Sequence, residues 1–239
     1  MITMASYGRF QRALRDGTAR QAVPRLTIGL LNEVAQNEVG QNEVGQSRKN
    51  VTGVRHPLGF LCLPLERTGG AGICVHVWSD SLPRMSPTTS PIHAHSWDLV
   101  SYVLYGSLRN EVIDVIDAPE DATYRVLEVR SGKDVDELRE TPRLVRADVK
   151  TVELHHQGHI YSLAAGTFHA TAVQGEAATV ALGSGRRGVL DLSLGRIDTK
   201  THRIRRQRCD RDETARAAQI VTEALARIRT GDQEARSDL

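Results

Sequence analysis

"SPIHAHSWDLVSYVLYGSL", residues 90–108, sets two histidines one residue apart at the head of an apolar, β-branched run that closes on a glycine. In an extended strand alternate side chains share a face, so His93 and His95 point the same way, with imidazoles close enough to share one ion. That geometry fits a metal, and it fits equally well two solvent-facing residues beside Trp97. The run that follows, rich in Leu, Val, Ser and Tyr, reads as a strand.

Working outward, similar runs alternate with Gly, Pro, Asp and Ser clusters. Strands are expected at residues 60–66, 73–79, 93–95, 101–104, 109–116, 124–130, 144–155, 160–163, 170–173 and 178–182. No amphipathic helices separate them, which points to an antiparallel sandwich or barrel. The Gly-rich "RTGGAG" lacks the following helix and lysine of a phosphate loop and reads as a hairpin turn.

Both ends have a different texture. Residues 7–15 and 18–34 carry apolar side chains at mixed three and four spacings and read as short helices, with Pro24 expected to interrupt them. "NEVAQNEVGQNEVGQ", residues 32–46, repeats every five residues, which fits neither a helix nor a solenoid unit, and reads as a solvated loop. Near the C-terminus, Asp210 or Asp212 caps a helix with Ala217, Ile220, Val221, Ala224, Leu225 and Ile228 on one face, which Gly231 is expected to stop. The basic segment "THRIRRQRCD" before it reads as a solvated strand face.

Global quantities narrow the function. The chain has 239 residues, 40% hydrophobic and 25% charged, enough for one large domain with extensions. Thirty-one Lys plus Arg against 29 Asp plus Glu leave a net charge of +2, too balanced to argue for nucleic acid or a membrane surface. No stretch approaches the roughly 18 apolar residues of a membrane helix. Three cysteines, Cys62, Cys74 and Cys209, have no CxxC spacing, and the N-terminus has no signal-peptide core, so a reducing cytoplasm is expected. Cys62 and Cys74 read as buried hydrophobes. His56 and His76 are isolated and read as satisfied core residues.

Downstream, "GHIYSLAAGTFHATAV", residues 158–173, supplies another isolated histidine, His169, after a glycine turn. Together the two stretches resemble the cupin superfamily, small double-sheet β-barrels that hold a metal inside. The family's first motif, G(X)5HXH(X)3–4E(X)6G, is matched by His93, His95 and Gly106, with Pro87 in place of the leading glycine and Leu99 in place of the glutamate. The second, G(X)5PXG(X)2H(X)3N, is matched by Gly158, Gly166 and His169, with Ala164 for the proline and Val173 for the asparagine.

The resemblance covers residues 59 to about 195. It implies an all-β, double-stranded β-helix (a cupin jelly-roll barrel) at residues 59–195. An N-terminal helical extension with the repeat, residues 1–58, and a basic segment with a packing helix, residues 196–239, flank it. It implies that His93, His95 and His169 bind one divalent transition metal, iron(II) by preference, with zinc, nickel or manganese as alternatives. The gap between the motifs is longer than in the simplest cupins, so an insertion at residues 118–143 is expected to form a flap at the barrel mouth.

Without a carboxylate, three neutral imidazoles leave the full double charge on the ion and up to three positions open. This is similar to the thiol dioxygenase branch of cupins. Asp98 would need a bulge to turn inward as a fourth ligand. Strand parity puts Trp97, Leu99, Ser101 and Thr171 on the pocket wall. Of His155, His156 and His159, one is expected near the pocket and the others in solvent. The leading reading is an iron- and O2-dependent oxygenase acting on a small anionic substrate, amino-acid-like or a thiol. A zinc-dependent lyase, isomerase or hydrolase and a non-catalytic ligand-binding cupin are the alternatives. Homodimerisation stays open.

Overall fold

Two helices open the described part of the chain, α1 (Ala5–Arg15) and α2 (Ala19–Gln36). The computed structural model describes residues 5–36 and 51–237. Gly17 divides the helices, its φ of 71° lying in the left-handed region that ends a helix at no Cβ penalty. The Thr18 carbonyl then accepts from the amides of Gln21 and Ala22 and starts the second helix. Pro24 therefore does not interrupt the helical stretch as expected; it sits inside α2. It falls early in the helix, where one lost backbone hydrogen bond is offset by burial of Val23, Leu31 and Val34. The pentapeptide repeat, read as a loop, begins in α2 with residues 32–36, and residues 37–46 lie outside the described residues.

The strands that follow are β1 (Val54–Arg55), β2 (Leu61–Thr68), β3 (Ala71–Trp78), β4 (His93–Ala94), β5 (Trp97–Tyr105), β6 (Ser107–Asp117), β7 (Tyr124–Ser131), β8 (Val135–His156), β9 (Ile160–Leu163), β10 (His169–Val173), β11 (Ala177–Gly185), β12 (Asp191–Gly195), β13 (His202–Arg205) and β14 (Gln207–Arg208). Among the described residues they make two antiparallel seven-stranded sheets, in the orders β14-β1-β2-β3-β11-β5-β9 and β13-β8-β6-β10-β4-β12-β7. The chain is thus mostly β, with helices at its ends.

The two faces of the first sheet meet different partners. Leu63, Val75, Val180 and Leu104 are buried in one cluster with Phe10 and Val23 of the N-terminal helices and Val221 and Leu225 of α3 (Arg211–Ser237). Alternation then sends Cys62, Cys74, His76, Thr179, Leu99 and Ser101 to the opposite face, toward the second sheet. Leu99 and Ala181 of the first sheet accordingly pack with Val112 of the second.

Residues 118–143 are not a flap. β7 pairs with both β12 and the N-terminal half of β8, which closes the second sheet on itself. Val126, Val145, Ile113, Phe168 and Leu194 fill that ring. The polar character of the segment belongs to its outer face, where Glu137, Glu140 and Arg143 pair with Arg203, Lys200 and Asp117. The basic segment supplies β13 and β14 to the two sheets, with Arg206 bonded through Nε to both oxygens of Asp136 at 2.9 Å.

Asp210 is the cap of α3. The Glu213 amide donates to Asp210 Oδ1 at 2.8 Å and the Asp210 amide donates back to Glu213 Oε2 at 3.1 Å, a reciprocal capping box. Ala217, Val221 and Leu225 are buried on the expected face. Gly231 does not stop the helix, which continues to Ser237; a glycine costs a helix interior only about 1 kcal/mol relative to alanine.

Candidate metal centre

The three glycines of the matched motifs each build a turn, and the one at Gly166 presents His169. Gly106, Gly158 and Gly166 have φ of 73°, 83° and 83°, a region glycine enters without strain. Gly106 alone links β5 to β6, and a Cβ there would lie 2.2 Å from the Glu176 carbonyl oxygen. The turn around Gly166 closes with the Thr167 amide donating to the Ala164 carbonyl at 3.1 Å. It is anchored at two points on the first-motif segment: the Gly166 amide donates to the His95 carbonyl at 2.8 Å, and the Ala165 amide to Asp98 Oδ1 at 2.9 Å. His169 leaves this turn as the first residue of β10, directly opposite His93 on β4 and Val112 on β6.

Residues far apart in the chain thereby meet. The His93 and His169 ring centroids are 4.2 Å apart, His93 and His95 4.7 Å, and His95 and His169 5.1 Å. One ligand atom from each lies within 4.8 Å of the others, and no carboxylate joins the group among the described residues. His93 Nδ1 faces the Pro91 carbonyl at 2.9 Å and His169 Nδ1 the Thr167 carbonyl at 3.2 Å. A carbonyl only accepts, so both Nδ1 atoms carry the proton and both Nε2 atoms keep a free lone pair. This is the arrangement that orients a metal-ligating imidazole.

Electrostatics agree with a neutral cluster. Burial pushes His169 down to about 3, with repulsion from His93 adding to it. His95 is held well below the ordinary imidazole value by burial and then by His93 and His169. His93 is lowered by burial as well, against the opposing pull of its Pro91 bond and of Asp191. Three uncharged donors at neutral pH need lose no proton to take a cation, so the residues present fit a divalent metal.

Around the cluster, Trp97 stacks on His95 at 4.2 Å and 26°. Gly183 makes room for that ring, since a Cβ there would come within 2.9 Å of it. Leu99, 6% exposed, packs with Leu163 and Ala181, with Trp97, Val112 and Tyr161 at the edges. Ser101 is buried two residues further along the same face of β5, paired with Tyr161 of β9. Thr171, two residues after His169 on β10, donates to Asn110 Oδ1 at 3.1 Å.

Asp98 is not turned toward the histidines. Its second oxygen accepts from Arg186 Nε at 2.6 Å, and that ion pair holds its carboxyl below the usual range. Among the downstream histidines, His155 is the buried one, stacked on Tyr161 at 4.4 Å and bonded to Glu153 at 3.0 Å. His156 and His159 are exposed.

A second group went unread in the sequence. Cys62, Cys74 and His76 offer ligand atoms within 4.8 Å of one another. No local spacing announces them, because strand pairing brings them together. His56 is half-buried rather than in the core, and its Nδ1 accepts from the Leu58 amide at 3.2 Å, so it is satisfied as expected.

No known family profile matches the chain, and a search of curated proteins finds no match. Among solved structures it is similar to a cupin superfamily protein from Desulfitobacterium hafniense, at 10% identity over 64% of this chain and 89% of that one, with a TM-score of 0.31. It is similar also to an RmlC-like cupin from Shewanella frigidimarina, at 11% identity over 62% and 95%, TM-score 0.33. A third is hydroxypropylphosphonic acid epoxidase from S. wedmorenis, at 13% identity over 52% and 50%, TM-score 0.29. The similar structures include cupins, the family whose two motifs the sequence matches in part. No helix among the described residues is long and apolar enough to cross a membrane.

Proposed function

We propose that this cupin-like chain is a mononuclear metal-dependent enzyme in which His93, His95 and His169 hold one divalent transition metal, iron(II) by preference. Its substrate is a small anionic molecule, amino-acid-like or a thiol, and O2 is the co-substrate. One observation carries the reading: three neutral imidazoles converge, and no carboxylate among the described residues accompanies them. Compared with a site of three histidines and one glutamate, this one is more positive by one charge once a cation is bound, which favours an anionic ligand.

Bound there, the metal supplies Lewis acidity and, as iron, one-electron redox chemistry. The chain's own residues do the rest. The carbonyls of Pro91 and Thr167 fix the tautomers of His93 and His169 and leave both Nε2 atoms free to hold the ion. Trp97 holds the His95 ring by stacking. Leu99, Leu163 and Val112 make an apolar wall that excludes water and strengthens the attraction for an anionic group. Ser101 of the first sheet and Thr171 of the second place hydroxyls on the facing inner sides of the two sheets, where they orient polar atoms of the substrate.

Metal analysis and oxygen uptake test this together. Protein loaded anaerobically with iron(II) is expected to hold one iron per chain, and the folded His93→Ala, His95→Ala, His169→Ala triple variant none. Across a panel of amino acids and thiols, the loaded protein should consume O2 with at least one. Iron retained in the triple variant refutes the ligand set. Turnover under anaerobiosis with zinc refutes the oxygenase class and favours the lyase, isomerase or hydrolase alternative; binding without turnover favours a non-catalytic cupin.

A further inference from the structure

We propose that Cys62, Cys74 and His76 form a second metal site, on the other sheet and sharing no ligand with the three-histidine cluster, and that it takes one zinc(II) ion. Its origin is a single irregularity in the β2–β3 hairpin. From the Gly69–Gly70 turn the rungs run Thr68 to Ala71, Arg67 to Gly72 and Glu66 to Ile73. The register then shifts by one, and the rungs continue as Pro64 to Cys74 and Cys62 to His76. Without that bulge Cys62 would face Val77, and Cys74 would point to the opposite face from Cys62. With it, both sulfurs and the imidazole stand on one face, away from the helices.

The spacing suits a cation better than a disulfide. Cys62 and Cys74 are diagonal neighbours, two rungs apart on adjacent strands. Diagonal Cα atoms lie roughly 7–8 Å apart, beyond the usual disulfide span of about 4.4–6.8 Å. A tetrahedral zinc needs its sulfur and nitrogen ligands about 3.5–3.8 Å apart. The donor atoms already lie within 4.8 Å of one another, a gap that side-chain rotation closes.

Ligand type selects the ion. Two thiolates and an imidazole are a soft set that prefers zinc to magnesium or calcium, and three protein ligands leave one position for water or an exogenous group. All three residues are half-buried, so solvent and metal reach them. The His76 ring is held by Phe60 at 4.5 Å, which itself stacks on His56 at 4.4 Å and lies 5.0 Å from Trp78. Binding displaces the two thiol protons to solvent, with no change of oxidation state.

Cobalt(II) substitution in the full reduced chain reads thiolate ligation directly, through sulfur-to-cobalt charge-transfer absorption. That absorption is expected in wild type and in the His93→Ala, His95→Ala, His169→Ala variant, and is expected to vanish in Cys62→Ser and in Cys74→Ser. Its absence from folded wild-type protein overturns the proposal, as does its survival in the double cysteine variant, which would assign it to Cys209. A second arm needs no substitution. Zinc should slow alkylation of Cys62 and Cys74 in the wild-type chain by roughly tenfold or more, reversibly with chelator; rates unchanged by zinc overturn the site. Loss of iron from the histidine cluster with the cobalt–thiolate signal intact separates the two centres.

Discussion

Leu99→Glu places a carboxylate at the position where the first cupin motif has its glutamate. The wild-type side chain is 6% exposed and packed against Leu163 and Ala181. Losing that contact costs about 1.5–3 kcal/mol of apolar burial, and an unpartnered carboxyl in its place costs about 1–3 kcal/mol more. The metal-free variant should therefore be about 2.5–6 kcal/mol less stable than wild type, within the range of a severe core substitution. At roughly 2–4 °C per kcal/mol for a chain of this size, its Tm falls by about 5–24 °C.

A bound cation changes the balance, because the new carboxylate gains the partner it lacked and completes a set of three histidines and one acid. Metal is then expected to raise the Tm of Leu99→Glu by more than it raises that of wild type. Leu99→Gln is the control, similar in shape and without charge. It should lose comparable stability and show no extra gain from metal. Thermal unfolding of the three proteins, with and without metal, gives the answer. A metal-free Leu99→Glu protein within about 2 °C of wild type would show that the side chain is not packed as described. A metal-induced gain no larger than that of Leu99→Gln would show that position 99 does not reach the histidine cluster.

Acid should destabilise the metal-free protein earlier than its carboxylates require. His56 and His169 protonate near 6.5 in the unfolded chain and at about 3 when folded. Between those values the unfolded state binds more protons, so stability is fully present above pH 6.5 and declines as pH falls toward 3, by up to about 1.4 kcal/mol per pH unit for each group. Urea unfolding across that range checks it, and stability that holds constant or rises on acidification contradicts the burial of these rings. Asp98→Ala should leave the iron content at one per chain while weakening affinity, since Asp98 anchors the turn that presents His169 rather than the metal. Loss of all iron from the folded variant would instead make Asp98 a ligand.

Much of the barrel was legible because strands with one apolar face write their period into the chain. The run at residues 160–163 coincides with β9, and most other predicted strands fall inside observed ones. His93, His95 and His169 could be picked out for a related reason: HXH parity is local, and the glycines at 106, 158 and 166 mark turns that only a positive φ allows. The capped C-terminal helix was equally readable, since its box and its apolar stripe lie within a few turns of each other.

Misreadings arose where pairing, not pattern, decides. Residues 118–143 looked like a polar flap because a paired strand with one solvated face alternates charges with few apolar residues. Pro24 and Gly231 carry breaker propensities that packing and position override. The sequence by itself determined most of the strands, the hairpin at Gly69–Gly70 and the three histidines, all of which depend on neighbours in the chain. Only the tertiary structure decided that Asp98 holds a turn, and that Cys62, Cys74 and His76 share a face. The side-chain period of a strand is two residues, so a one-residue bulge chooses which side each cysteine occupies, and that bulge is set by the register of β2 on β3.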